Sequence, residues 1–320
     1  MLEDADLSGT AGLTDGLGRI AEQIGEKTES ILRTQVRGAA SVLFVVILCS
    51  AVGGLSSEAE QTSLFLPMAG ALSVTLLTAG SLDSLIGLGA QTIEELRLFS
   101  MALLPTLAAA TAASGAITTA TFQQVTTVFL VDLLLNLISG VLMPLVYLYI
   151  GVLTASACMA DGRLAVLADG LKKSTVWILT TALLAFTLYL SVAKVISGSV
   201  DTAAVRVAKT TISGVIPVVG GIIADASETI LAGAGLLKNT IGIFGMLGIL
   251  CVCALPFLRL GIQYLLYKAV AFLSAVVGVE SLQKLIGGLG GAFGLVLGMT
   301  GASALLLLVS VLSSVAAVMP

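Results

Sequence analysis

The sequence predicts an all-α, polytopic integral membrane protein, a helical bundle of about seven or eight spans. Three observations predict it. Hydrophobic residues make up 57% of the chain and charged residues 11%, with a mean hydropathy of +1.09, whereas soluble domains run at roughly 45–50% apolar and about 25% charged. So few charges could not cover a soluble core built from so much apolar surface. Apolar runs of about 20 residues, enough to cross a bilayer, recur along the 320 residues. The charges that do occur fall mostly in short stretches between those runs.

The N-terminal segment 1–37 is the most charged part, with Glu3, Asp4, Asp6, Asp15, Glu22, Glu26 and Glu29 against Arg19, Lys27, Arg33 and Arg37. Within it Leu13, Leu17, Ile20, Ile24 and Ile31 recur at helical spacing, which predicts an amphipathic helix over 13–32 outside the bilayer, lying on the membrane or packed on the bundle. Residues 38–320 form the membrane domain. Its first spans are 38–55 and 65–82. A polar break follows at 83–97, with Asp83, Glu94, Glu95 and Arg97, and then an apolar stretch, 98–120, containing Pro105. The run 125–160 is too long for one span and is divided at Pro144. Residues 161–173 read as a short amphipathic helix with Leu164, Leu167, Ala168 and Leu171 on one face. A span at 174–196 comes next. Residues 212–237 carry Pro217, Gly220 and Gly221 and then Asp225 and Glu228, which suggests a broken or re-entrant segment. Spans 239–258 and 259–278 are separated at Pro256. The last run, 286–318, is long enough to need a tilt or a break near Gly298–Gly301.

Pro105 and Pro144 are 39 residues apart, as are Pro217 and Pro256, and the pairs are offset by 112. Units 65–160 and 177–272 are therefore candidates for an internal repeat, a layout that secondary transporters use in inverted form. Identity across the offset is low enough to arise from composition, so a duplication stays open. Basic residues flank the span 174–196 on both sides, and the positive-inside rule gives no orientation. Residues 1–16 show neither a basic n-region nor an apolar h-region of a secretory signal.

Enzymatic chemistry has little to work with. The chain contains no histidine, which removes His-based triads and the HExxH zinc site. Cys49, Cys158, Cys251 and Cys253 sit in apolar runs and read as small hydrophobes rather than a disulfide or zinc framework. No cofactor is expected, and no basic patch suggests nucleic acid.

Polar residues inside apolar helices are the candidate site, because each must find a partner or a wet cavity. Asp132 and Asn136 share a helix face at i,i+4 and could line a pore, hold an ion or proton, or bond a neighbouring helix. Asp225 and Glu228, spaced i,i+3 and followed by Lys238 and Asn239, could coordinate a cation, form a gate, or make a solvated turn between two half-helices. Arg259, Gln263 and Tyr267 form a polar stripe after Pro256, with Lys268 beside it. Gly287, Gly291, Gly294 and Gly298, with Gly290 between, make overlapping GxxxG pairs that let helices approach closely, within the chain or between copies of it. Tyr147, Tyr149, Tyr264 and Trp177 read as membrane-interface markers.

The run 199–245 resembles the stage III sporulation protein AE family of endospore-forming bacteria. The stretches VIPVVGG (215–221) and GLLKNTIGIFG (235–245) and the acids Asp225 and Glu228 carry the resemblance, and Pro256 and Tyr267–Lys268 continue it. Weaker similarity at Pro105, Ser114 and Gly115, at Met143–Pro144 and at 161–173 extends it over about 38–318. The resemblance implies a multi-pass protein of the mother-cell membrane surrounding the forespore. It would be one part of a multi-protein transenvelope channel or secretion-like apparatus. The implied partners are the other stage III A-operon membrane proteins and, across the intermembrane space, stage II sporulation protein Q. The resemblance brings no catalytic residues. It also implies a signal peptide, which residues 1–16 do not show; Met1 would then be an added or trimmed start and residues 2–37 the remnant of an extracytoplasmic N-terminal segment.

Three functions compete: a channel or export component that acts through assembly, an autonomous secondary transporter using broken helices and Asp132, and, weakest, an intramembrane enzyme.

Overall fold

The computed structural model describes the backbone of residues 10–55, 62–113, 119–159, 162–215 and 220–316, and the side chains of 16–54, 65–110, 125–159, 163–192 and 240–315. Every element among them is helical: α1 (Thr10–Leu55), α2 (Thr62–Ala113), α3 (Thr119–Leu137), one π turn (Ile138–Leu142), α4 (Met143–Cys158), α5 (Gly162–Val215), α6 (Gly220–Val277) and α7 (Glu280–Ala316). Six stretches among the described residues are long and apolar enough to cross a membrane: Gly16–Gly54, Phe65–Ala110, Val125–Cys158, Arg163–Val192, Thr240–Val277 and Glu280–Val315.

The helices are longer than the sequence predicts, because neither the prolines at 105, 144 and 256 nor the polar stretch 83–97 separates two of them. Pro105 and Pro256 lie inside α2 and α6. Each removes one backbone hydrogen bond. Unwinding the chain there would leave several more groups unpaired in a medium without water, so the helix continues. Pro144 likewise does not separate two spans. It sits at the start of α4 directly after the π turn, where the Met143 N–H donates to the Ile138 carbonyl, five residues back. The ladder is already re-registered where Pro144, lacking an N–H, would interrupt it.

The polar stretch 83–97 is a face of α2 and not a loop. Leu82, Ile86, Ile93 and Leu96 are buried at helical spacing, while Gln91 donates to Glu95 and Arg97 to Glu94 along the same helix. Residues 161–173 and the span that follows are one helix, α5, and of the expected apolar face only Ala168 is fully buried while Leu167 is exposed. The amphipathic 13–32 and the first span are likewise joined in α1, so the boundary at 37 falls within a helix. Gly16 lies against Leu247 of α6 and Ile31 is buried, which packs this segment on the bundle.

Around 212–237 the described helices end at Val215 and resume at Gly220. Gly220 and Gly221 thus open α6, and the backbone at Asp225, Glu228, Lys238 and Asn239 is helical, which excludes a turn at the two acids. Pro217 and the side chains of those six residues lie outside the described residues. Of the proline pairs related by 112 residues, the one that can be compared, Pro144 and Pro256, falls where the chain stays helical.

α7 is the centre. In its most apolar window 61% of residues are buried, against 17–33% in the other five spans. It packs against α6, α2, α4, α3 and α5, while α1 lies on α6 and α2. Its sequence explains the position: from 285 to 320 it carries no charge, and an apolar face all round suits only a helix surrounded by others. It also runs without a break through Gly298–Gly301. α6 and α7 form a hairpin through two residues. Gly278, at φ +88°, donates its N–H to the Ala275 carbonyl and stops α6 in the left-handed conformation that glycine adopts without penalty. Glu280 then opens α7, its charge suited to the helix N-terminus. On the outside, Phe44, Phe65, Leu76, Trp177, Leu188 and Phe272 are exposed, as a surface solvated by lipid requires.

The closest approach is made by glycines. A Cβ on Gly290 would stand 3.1 Å from the Tyr267 Cβ and 3.6 Å from its carbonyl carbon, both fixed in α6. At Gly298 a Cβ would meet nothing within 4 Å, so this member of the glycine series does not seat a helix. Gly290→Leu is expected to destabilise the protein by about 1–3 kcal/mol, and Gly298→Leu to leave stability unchanged; thermal unfolding in detergent compares the two.

Candidate functional site

The expected pore-lining pair, Asp132 and Asn136, belongs to a larger polar seam between α2 and α3. Asn136 Nδ2 donates to Asp132 Oδ2 at 3.1 Å. Arg97 on α2 donates to both Glu94 oxygens, at 2.9 and 2.7 Å, and its Nη1 stands 3.9 Å from Asp132 Oδ1. One guanidinium thus faces two carboxylates, and Asp132 Oδ1 is buried without a hydrogen bond. Sequence reasoning assigned Glu94 and Arg97 to a break between spans and so missed the cation opposite Asp132. The signal was present in the spacing of Ile86, Ile93 and Leu96, which predicts that the segment is helical and turns its charges to one side. The three side chains are 21–43% exposed, so the seam ties α2 to α3 only modestly.

The stripe after Pro256 does not line a lumen as a unit. Gln263 and Tyr267 are buried in the bundle, the Tyr267 ring standing edge-on to Phe293 of α7 at 5.1 Å, while Arg259 is exposed. The Arg259 carbonyl accepts a 3.0 Å bond from Gln35 Nε2 of α1.

Up to Gly294 the glycine series seats a different neighbour at each step. Gly287 faces Ala271, Gly290 faces Tyr267 and Gly294 the Tyr264 ring, all on α6. Gly288 faces Leu153 of α4, and Tyr149 of α4 donates to the Gly288 carbonyl at 2.9 Å. At Gly291 the atoms nearest a Cβ are polar: Lys172 Nζ at 3.2 Å and the Tyr149 hydroxyl at 3.3 Å. Tyr149 and Tyr264 therefore brace α7, while Tyr147 and Trp177 are exposed. Lys172 lines two clefts at once. One, of about 760 Å³, lies where α4 ends and α5 and α7 begin, with Asp169, Glu280 and Lys284 on its rim. Both acids are engaged along their own helices, Asp169 with Lys173 at 2.6 Å and Glu280 with Lys284 at 2.7 Å. The other cleft, of about 580 Å³, runs between α5, α6 and α7.

A sequence profile of stage III sporulation protein AE matches residues 12–318, nearly the whole chain. The chain belongs to the stage III sporulation protein AE family. The stage III sporulation protein AE of Bacillus subtilis (strain 168) is 29% identical over 203 residues, which are 63% of this chain and 51% of that protein. The chain thus spans about half the length of the curated relative it matches. No solved structure matches it.

For this member of the stage III sporulation protein AE family, the two polar features make separable predictions. Tyr149→Phe removes the tie from α4 to α7 and is expected to lower stability by about 1 kcal/mol, read as a shift of the denaturation midpoint. A double-mutant cycle of Arg97→Met and Asp132→Asn should return a coupling of at most about 1 kcal/mol, as for other partly exposed pairs.

Proposed function

We propose that the protein is a membrane component of a multi-protein transenvelope channel or secretion-like complex required for endospore formation. It would sit in the mother-cell membrane around the forespore and act by assembly. The profile match over residues 12–318 carries this reading, since it ties nearly the whole bundle to a sporulation family. The proposed partners are the other stage III A-operon membrane proteins and, from the forespore side, stage II sporulation protein Q. No catalysis is assigned, because a chain without histidine offers few groups for proton transfer near neutrality.

One observation favours an autonomous transporter: the buried, unbonded Asp132 Oδ1 beside Arg97. The other supports for that reading are weakened, since Pro105, Pro144 and Pro256 all lie in continuous helices. A transporter would need Asp132 as an ion or proton site; a structural component would not.

Affinity purification of the tagged full chain from sporulating cells is expected to bring the other A-operon proteins with it. Asp132→Asn is expected to keep both that association and spore formation. Solute flux through liposomes holding the purified chain alone, abolished by Asp132→Asn, would sink the proposal in favour of the transporter.

A further inference from the structure

The cleft between α5, α6 and α7 is a groove with one cationic end. Its walls are apolar along most of their length: Leu183 of α5, Phe257 of α6, and Leu295 and Leu305 of α7. Its floor is lowered by Gly294 and Gly298, and Gly298 has open space where a side chain would begin. At one end stand Lys172 of α5 and Lys268 of α6. The two lysines stand at the same level of α7. Lys172 Nζ reaches Gly291, and the backbone of Lys268 passes Gly290.

The charges at that end are unbalanced. Among the described residues no acid lines the groove, and Asp169 and Glu280, on the other cleft that Lys172 lines, are engaged with Lys173 and Lys284. Neither lysine forms an ion pair among the described residues, while their neighbours Lys173 and Lys284 both do. Lys268 Nζ instead lies 5.8 Å above the Tyr264 ring, which turns it toward the groove wall. Beyond the lysines α5 is uncharged from 174 to 193 and α7 from 285 onward, and the one charge on the facing stretch of α6, Arg259, is exposed and does not line the groove. From Gly291 to Leu305 the groove follows α7 for about 21 Å at ~1.5 Å per residue. One leaflet of the hydrocarbon core is about 15 Å deep, half of the ~30 Å total, so an acyl chain fits along this length.

We propose that this groove binds an anionic phospholipid, its phosphate between Lys172 and Lys268 and one acyl chain laid along Gly294 and Gly298. The complementarity is twofold. An ammonium pair without carboxylates calls for an anion, and an uncharged channel leading from it calls for a hydrocarbon tail. A partner helix would fill the channel and leave both cations unanswered. A free phosphate would answer the cations and leave the channel empty.

The test reconstitutes the full chain in vesicles of equimolar phosphatidylglycerol and phosphatidylcholine, re-extracts it in mild detergent and measures retained lipid by native mass spectrometry. The chain should retain phosphatidylglycerol over phosphatidylcholine by about tenfold, the size expected of two lysines facing an anionic headgroup. Lys172→Gln with Lys268→Gln should abolish the preference, and Lys172→Arg with Lys268→Arg should restore it. Gly298→Leu should reduce retention of both lipids several-fold while the unfolding temperature stays the same. Equal retention of the two lipids by the native chain, or an undiminished preference in the double glutamine variant, overturns the proposal. So does displacement of the lipid by inorganic phosphate, which would mean that the chain of the lipid is not held. Full retention in Gly298→Leu would place the lipid elsewhere and overturn it too.

Discussion

How near α6 can come to α7 sets the rest of the bundle. In a lipid solvent, apolar side chains gain little by leaving the solvent for a protein interior, and helices are held by close contact and by the few polar groups they share. Gly287, Gly290 and Gly294 remove the side chains that would keep α7 away from Ala271, Tyr267 and Tyr264. The remaining helices inherit the arrangement. α4 is tied to the same stretch of α7 through Tyr149 and the Gly288 carbonyl. α6 has its own series on another side, where Gly245 and Gly248 receive Leu103 and Phe99 of α2. With α6 and α7 fixed, α1 and α2 are laid against them and α5 leans on α4.

Ionic contacts are local by comparison. Asp169–Lys173 and Glu280–Lys284 each join residues one turn apart on a single exposed helix surface, where solvent screens such pairs and they contribute little. Arg97 is different in kind, since it reaches from α2 to Asp132 on α3. The charges thus decorate and align the helices, while contact at small residues decides which helices are neighbours.

The membrane class, the helical content and the glycine series were legible in the sequence, because composition and small-residue spacing act directly on helices in lipid. The ends near 55 and 277 also fell where the sequence placed them, but the continuity of helices through proline was not legible. The rule that proline stops a helix is learned where water can take up the freed backbone groups; at Pro105 and Pro256 no such water is at hand, and the helix persists. The polar stretch 83–97 misled for a related reason. Charge looks like a loop when its partners are unknown, and Arg97 has partners on its own helix and on α3. The polar candidates were found singly but not in their combinations. Spacing relates Asp132 to Asn136 on one helix, yet nothing in it relates Asp132 to Arg97, or Gly291 to Lys172 and Tyr149, which meet only in the folded chain.

The two-residue turn at Gly278 also bears on how the chain is made. A ribosome finishes α1 to α6 before it reaches α7, so five outer helices and one half of the hairpin enter the bilayer without the element they will surround. The turn is too short for α7 to wander, and it delivers the last of these helices back against the preceding one. Until then the earlier helices have their contacts with one another but not with the helix they surround. Assembly is therefore retroactive, and a chain cut short before residue 280 would lose its middle rather than its end.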